Sequence, residues 1–353
     1  MSVSGANDRL YMHRCLQLAR CGVGSTSPNP MVGAVIVCDG RIIGEGYHIR
    51  AGEPHAEVNA VNSVKECDRS LLALSTIYVS LEPCSHYGKT PPCCDLIISC
   101  GIPRVVIGTT DYNAQVNGGG IERMRAAGIE VTVDVLQAES YRLNEPFFTF
   151  HRQQRPFVTL KWAQSGDGFV DRCRDGGEAL RISNPMSSIS VHKLRASHDA
   201  IFVGRRTALL DNPSLDIRHW VGRRPLRLVV DRMGTLPDSL RIFTDGFPTV
   251  IYTSAGNNRV YGNSVECVVL DFESDIIPQV LAHLHSIRLN SLLVEGGPRL
   301  LQSFIDSSLW DVARVEVNGN IVVGSGVAAP ALPLCKVVEK SCSGGNEVTI
   351  YRR

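Results

Sequence analysis

Several things are scarce in this sequence, and each shortage narrows its function. No apolar run approaches the ~18 residues that a membrane helix needs, so no membrane-spanning helix is expected. Charge of one sign is missing too: 36 Lys and Arg against 35 Asp and Glu leave a formal net charge of +1. Aromatic residues make up only 6% of the chain. A nucleic-acid reader needs a basic face with interleaved aromatics, so neither a nucleic-acid nor a membrane-surface partner is expected. The first ten residues, MSVSGANDRL, lack a basic segment followed by an apolar core and a small-residue cleavage site. No signal peptide is therefore expected, and a cytoplasmic location with reduced thiols is. Internal repeats and low-complexity tracts are absent as well.

What is present fits two ordinary domains. The chain has 353 residues, 44% hydrophobic and 20% charged, enough for two cores at ~100–200 residues per domain. Twelve cysteines would suit a disulfide framework, but a reducing compartment argues against one. Cys15, Cys38, Cys100 and Cys267 stand among apolar neighbours and read as small core residues. Only the group Cys84, Cys93 and Cys94 asks for another explanation.

The pattern alternates strand and helix. MVGAVIVCDGRIIGEGYH reads as a hairpin about Asp39–Gly40. A helix from about His55, the strand STIYVSLEP and a helix over about 92–100 follow, then RVVIGTT, GIERMRAAG and IEVTV. Residues 136–152 read as one closing helix before the polar stretch HRQQRP. The boundary is placed there, giving domains 1–152 and 153–353. The second repeats the alternation, with helices over 185–197, 275–287 and 298–309 between strands, as in an open α/β sheet.

The chemistry concentrates at three short segments. His55-Ala56-Glu57 opens a helix, Pro83-Cys84 ends a strand, and Pro91-Pro92-Cys93 opens the next helix. One imidazole and two thiolates suit Zn²⁺ and leave a fourth position for water. A helix N-terminus favours the thiolate of Cys93. Zinc lowers the pKa of bound water towards ~7, and a nearby carboxyl can carry its proton to a pyrimidine ring nitrogen and on to departing ammonia. Glu57 is the candidate carrier, although positions i and i+2 do not share a helix face. Zinc deaminases of nucleobases use this arrangement with two residues between the cysteines, where this chain has eight. A structural zinc knuckle, with Cys94 as fourth ligand, is the competing reading.

HAEVNA and LEPCSHYGKTPPCCD, with SPNPMVGAVIV before them, resemble the deaminase half of the bifunctional riboflavin-biosynthesis deaminase/reductase family. The long insert between the cysteines is that family's own. The resemblance implies a cytidine-deaminase-like α/β/α domain with His55, Cys84 and Cys93 as zinc ligands, Glu57 as proton shuttle and Cys94 outside the ligand set. Asn29, His48 and Lys89 lie in matched segments as expected substrate contacts, with Lys89 suited to a phosphate.

RPFVTLKWAQSGDGFVD, VHKLRASHDAIFVGRRTALLDNPSLDIR and LLVEGGPRLLQSF resemble the family's reductase half. That half implies a dihydrofolate-reductase-like α/β domain binding NADPH. Ala163, Thr207 and Asp211 are then expected at the cofactor, with the Gly296–Gly297 turn and Pro298, Arg299, Leu300, Leu301, Gln302 and Ser303 beside it. Arg195, Leu215, Arg218 and Glu295 are expected to face the substrate, the arginines gripping its phosphate. Arg205 and Arg206 are candidates for reading a 2′-phosphate.

Together these imply a homo-oligomeric enzyme that deaminates a phosphoribosylamino diaminopyrimidinone and then reduces its ribosyl chain with NADPH. The chain departs from the family at Arg181-Ile182-Ser183, where an aromatic residue in a Trp-Ile-Thr segment is usual, and at Ser165-Gly166-Asp167-Gly168. An active deaminase carrying a non-reducing second domain is the alternative that these departures raise.

Overall fold

The computed structural model describes residues 3–87, 91–111, 118–257 and 259–353. The chain divides into two compact units, Met1–Gln154 and Arg155–Arg353.

The first unit begins with α1 (Val3–Ala19). The hairpin of β1 (Gly33–Cys38) and β2 (Arg41–Tyr47) turns at Asp39 and Gly40, both at positive φ, as the tight turn between two strands requires. Then come α2 (Ala56–Asn62), β3 (Thr76–Val79), α3 (Cys93–Ser99), β4 (Arg104–Ile107), α4 (Gly119–Ala126) and β5 (Glu130–Thr132). The expected closing helix is two, α5 (Gln137–Leu143) and α6 (Glu145–Gln153). They break at Asn144, whose side chain receives the Met31 N–H at 2.8 Å and donates to the Met31 carbonyl at 2.9 Å.

The five strands lie in the order β2-β1-β3-β4-β5. Period-two alternation sends Ala34 and Ile36 to one face, where Ala60, Ile97 and Met124 cover them. Val35 and Val37 go to the other, against Met12, Cys15 and Leu16. A sheet with helices on both faces places the loop after β3 and the starts of α2 and α3 within reach of one another.

The second unit carries β6 (Phe157–Ser165), β7 (Phe169–Asp171), α7 (Pro185–Ala196), β8 (Ala200–Val203), α8 (Arg205–Asp211), β9 (Leu226–Val230), α9 (Arg241–Thr244) and β10 (Thr249–Thr253). It continues with β11 (Val265–Val269), α10 (Ile276–Ser286), β12 (Ser291–Gly296), α11 (Pro298–Asp306), β13 (Val312–Asn318), β14 (Val327–Ala328), β15 (Lys336–Ser343) and β16 (Asn346–Arg352). Nine strands form one sheet in the order β11-β10-β9-β8-β12-β6-β13-β16-β15, parallel from β11 to β13 and closed by the antiparallel pair β16 and β15. Phe202, Tyr252, Phe304 and Trp310 are buried on one face and Ile201, Val229 and Ile251 on the other. Adjacent β8, β9 and β12 thus aim their carboxyl ends at one crevice, where open α/β sheets bind ligands. Cys267, expected in a core, is exposed because it lies on β11, the edge strand.

Candidate active sites

The first site forms where β3 ends and two helices begin. His55 is the N-cap of α2 with ψ of 168°, so its ring leaves the chain before helical geometry starts. The objection that i and i+2 diverge on a helix therefore does not apply. His55 Nδ1 stands 3.6 Å from Cys84 Sγ and 3.3 Å from Cys93 Sγ, and the three donor atoms lie within 4.8 Å of one another. Zinc–sulfur and zinc–nitrogen bonds of ~2.3 and ~2.05 Å at a tetrahedral angle put the N···S edge at about 3.6 Å. The donor set and its spacing thus fit a tetrahedral zinc with one position left over. Among the described residues this is the one such group.

The two thiols share their protons unequally. Hydrogen bonding from Cys93, against the cost of burial and with help from His55, pushes Cys84 down to about 4. The same contact with Cys84 and burial push Cys93 up. The helix start acts on Cys84 rather than on Cys93 as expected, since the Cys93 N–H donates to Cys84 Sγ at 3.3 Å. Cys94 is buried in the core of the unit and stands outside the donor group.

Glu57 is 3% exposed, and burial pushes its carboxyl up to about 7 despite the attraction of His55. Cys93 also acts on this carboxyl, against the effect of burial. The Pro54 carbonyl faces His48 Nδ1 at 3.1 Å, which puts the proton on that nitrogen. His48 Nε2 then accepts from Asn29 Nδ2 at 3.1 Å. The His48 and His55 rings meet edge to face with centroids 5.5 Å apart, so Asn29, His48 and the donor group share one site. Lys89 lies outside the described residues.

One contributor escaped the sequence reading. Glu82, 4% exposed, accepts backbone N–H groups from Asp111, Gly118, Gly120 and Ile121 at 3.1–3.3 Å and so pins the loop that carries Cys84. A carboxylate at the buried end of an apolar strand was the available signal.

The second site is a cavity of about 900 Å3 in the second unit. Ala163, Asp211, Arg195 and Arg218 line it, as does Arg181. Arg195 grips Glu295 through two hydrogen bonds of 2.8 and 2.7 Å and donates to the Asp216 carbonyl at 3.0 Å. Arg218 donates to the Asp216 carboxylate at 2.8 Å. Three of the expected substrate contacts therefore form one network. Burial would raise the Glu295 carboxyl, but the charge and hydrogen bonds of Arg195, with Lys161 nearby, bring it down to about 2. Lys161, which the sequence reading passed over, is the one charged residue of β6, and burial pushes its pKa down.

Some expectations are corrected here. The Leu215 side chain does not face the cavity: at φ of +51° it turns into the core with Ile201, Val203 and Val229. Leu300 and Leu301 pack in the opposite core because α11 turns its apolar face to the sheet. Asp211, expected at the cofactor, is the last residue of α8 and is ion-paired with Arg174.

At the crevice the Gly204 N–H donates to the Gly296 carbonyl at 2.7 Å, and a Cβ on Gly297 would stand 3.1 Å from Thr207 Oγ1. Thr207 and the glycine turn thus adjoin, with Pro298 opening α11. Arg299 and Ser303 are exposed, and Gln302 is bonded to Asp306. Arg205 is held by Asp231 at 3.3 Å and Thr235 at 2.8 Å, whereas Arg206 donates to the Arg174 carbonyl.

A half-buried His-Cys-Cys group beside a glutamate on one α/β unit, and a cofactor-sized crevice on another, define a two-domain zinc deaminase and reductase. Known proteins agree. The zinc-binding region of cytidine and deoxycytidylate deaminases matches residues 6–109, and the RibD C-terminal domain matches residues 156–335. The riboflavin biosynthesis protein RibD of Aquifex aeolicus is 39% identical over 94% of this chain and 92% of its own. That of Escherichia coli is 37% identical over 86% and 85%. A deaminase/reductase crystal structure from Thermotoga maritima superposes with a TM-score of 0.91 at 37% identity, covering 99% of each chain. The chain belongs to the RibD family, the bifunctional deaminase/reductases of riboflavin biosynthesis, with a zinc-binding deaminase domain and an NADPH-dependent reductase domain. No helix among the described residues is long and apolar enough to cross a membrane.

Proposed function

We propose that the first unit hydrolyses the 2-amino group of a phosphoribosylamino diaminopyrimidinone and that the second reduces the ribosyl chain of the product to ribityl. The observation that carries the first step is the placing of Glu57 against a zinc-shaped group of one nitrogen and two sulfurs. His55, Cys84 and Cys93 hold the metal, which when bound brings the pKa of a water towards ~7. Glu57, buried and able to hold a proton near neutral pH, passes it to the ring nitrogen and later to the leaving amine. Asn29 and His48 orient the pyrimidine, and Lys89 takes the phosphate.

In the second unit NADPH supplies the hydride. Ala163, Thr207, Asp211 and the turn at Gly297 through residue 303 position the cofactor. Arg195, Arg218 and Glu295 orient the substrate, and Leu215 contributes through its backbone. The domain division 1–152 and 153–353, a homo-oligomer and a cytoplasmic location complete this reading.

The test is Glu57→Gln in the full chain, with zinc content, ammonia release and NADPH absorbance followed together. Ammonia release is expected to fall by about 10²–10⁴ while zinc stays bound and NADPH is still oxidised with the deaminated substrate. Ammonia release at the unaltered rate contradicts the role of Glu57. Deaminated substrate that leaves NADPH untouched in the unaltered protein favours the non-reducing alternative.

A further inference from the structure

The cavity of the second unit holds more positive charge than its own acids answer. Arg181, Arg195, Arg218 and Arg241 line it, with Glu178 and Asp211 as its only lining carboxylates among the described residues. Arg195 is bound to Glu295, Arg218 to Asp216, and Asp211 to Arg174. Arg181, Arg241 and Glu178 are left, a surplus of one positive charge, and none of the three side chains makes a hydrogen bond, ion pair or ring contact. Both arginines are carried on fixed backbone. The Leu180 N–H donates to Asp171 at 3.0 Å, and the Ile182 carbonyl accepts from Asn318 and Asn346 at 3.0 and 3.2 Å. The Arg241 N–H donates to Asn212 Oδ1 at 2.8 Å, tying it to the residue after Asp211.

We propose that Arg181 and Arg241 form a phosphate-binding subsite on the wall of this cavity. Two guanidiniums with free donors on an anchored frame suit an oxyanion that accepts paired, charge-assisted hydrogen bonds. A bare carboxylate surface or a neutral sugar does not need them. The proposal rests on the reductase reading for the identity of the phosphorylated ligand. Two sources share the chemistry: the 5-phosphate of the ribosyl pyrimidine and the phosphates of NADPH.

The experiment uses the full-length protein, Arg181→Ala, Arg241→Ala and Arg181→Trp. Inorganic phosphate binding is measured by calorimetry, and the KM values for NADPH and for the deaminated substrate are measured separately. Each variant is expected to bind phosphate roughly ten-fold more weakly, with a similar rise in one KM, little change in kcat, and a loss of the difference in high salt. A rise confined to NADPH assigns the cofactor's phosphate. A rise confined to the substrate, and absent with its unphosphorylated counterpart, assigns the 5-phosphate. Phosphate affinity and both KM values unchanged in all three variants would overturn the subsite. Calorimetry reads phosphate binding even in protein that oxidises no NADPH, so failure of the reductase reading is seen separately.

Discussion

Exchanging Glu295 for glutamine should change how the second unit responds to acid. The Glu295 side chain is 8% exposed and that of Arg195 14%, joined by two hydrogen bonds, so solvent screens the pair little. Its carboxyl falls from the ordinary 4.5 to about 2 in the folded protein. At 1.36 kcal/mol per pH unit, that difference contributes about 3 kcal/mol to folding, to order of magnitude. Because the folded value is depressed, the contribution is complete above pH 4.5 and is lost as pH falls towards 2. About 2 kcal/mol of it should be gone by pH 3.

The assay follows from the sequence. Trp162, Trp220 and Trp310 are the only tryptophans, and all three lie in the second unit. Tryptophan fluorescence during urea unfolding of the full chain therefore reports that unit alone. Every carboxylate but one is common to the two proteins, so their stability difference isolates Glu295. The gap between the unaltered protein and Glu295→Gln should hold steady from pH 7 to about 5 and shrink by about 2 kcal/mol at pH 3. Arg195→Met, which strands the buried carboxylate, should cost about 3–5 kcal/mol at pH 7. Parallel stability curves down to pH 3 would refute the claim that Arg195 holds Glu295 ionised.

Two further outcomes concern the metal-binding end. In Gly120→Ala the new methyl would stand 2.2 Å from the Pro83 carbonyl oxygen, next to Cys84. The displaced loop should weaken zinc affinity by roughly 10–100-fold, read by competition with a chromogenic chelator, and unchanged affinity would mean the loop yields freely. Cys84→Ala should abolish zinc retention and ammonia release together while NADPH oxidation with the deaminated substrate persists. Loss of both activities would show that the second step depends on the first unit.

The legible part of the molecule was what short-range chemistry dictates. His55, Cys84 and Cys93 could be chosen because one imidazole and two thiolates have few other uses at such positions, and the hairpin announced itself through Asp39–Gly40. What stayed hidden depends on partners far along the chain. The break at Asn144 needs Met31, and the pinning role of Glu82 needs the N–H groups after residue 110. The turn of Leu215 into the core needs a positive φ that no apolar pattern reveals. The resemblance named Leu215, Leu300 and Leu301 as site residues, yet it said nothing of which atoms they offer. The β15–β16 hairpin went unread because its edge strand is largely exposed and carries no buried alternation.

Two glutamates show how one side chain serves opposite ends by its surroundings. Glu57 and Glu295 are both nearly removed from solvent, so desolvation pushes both towards the neutral form. Glu57 has an imidazole to attract its charge, but Cys84 opposes it, and its carboxyl stays raised. Glu295 has a bidentate arginine and a lysine beside it, and the balance reverses. A group that can gain and lose a proton is what a hydrolytic step on an amidine-like carbon needs. A carboxylate fixed as an anion suits a different task, holding Arg195 and Lys161 in place beside a phosphorylated ligand. The proton for the reduced sugar would then have to come from elsewhere, unless substrate binding separates Glu295 from Arg195.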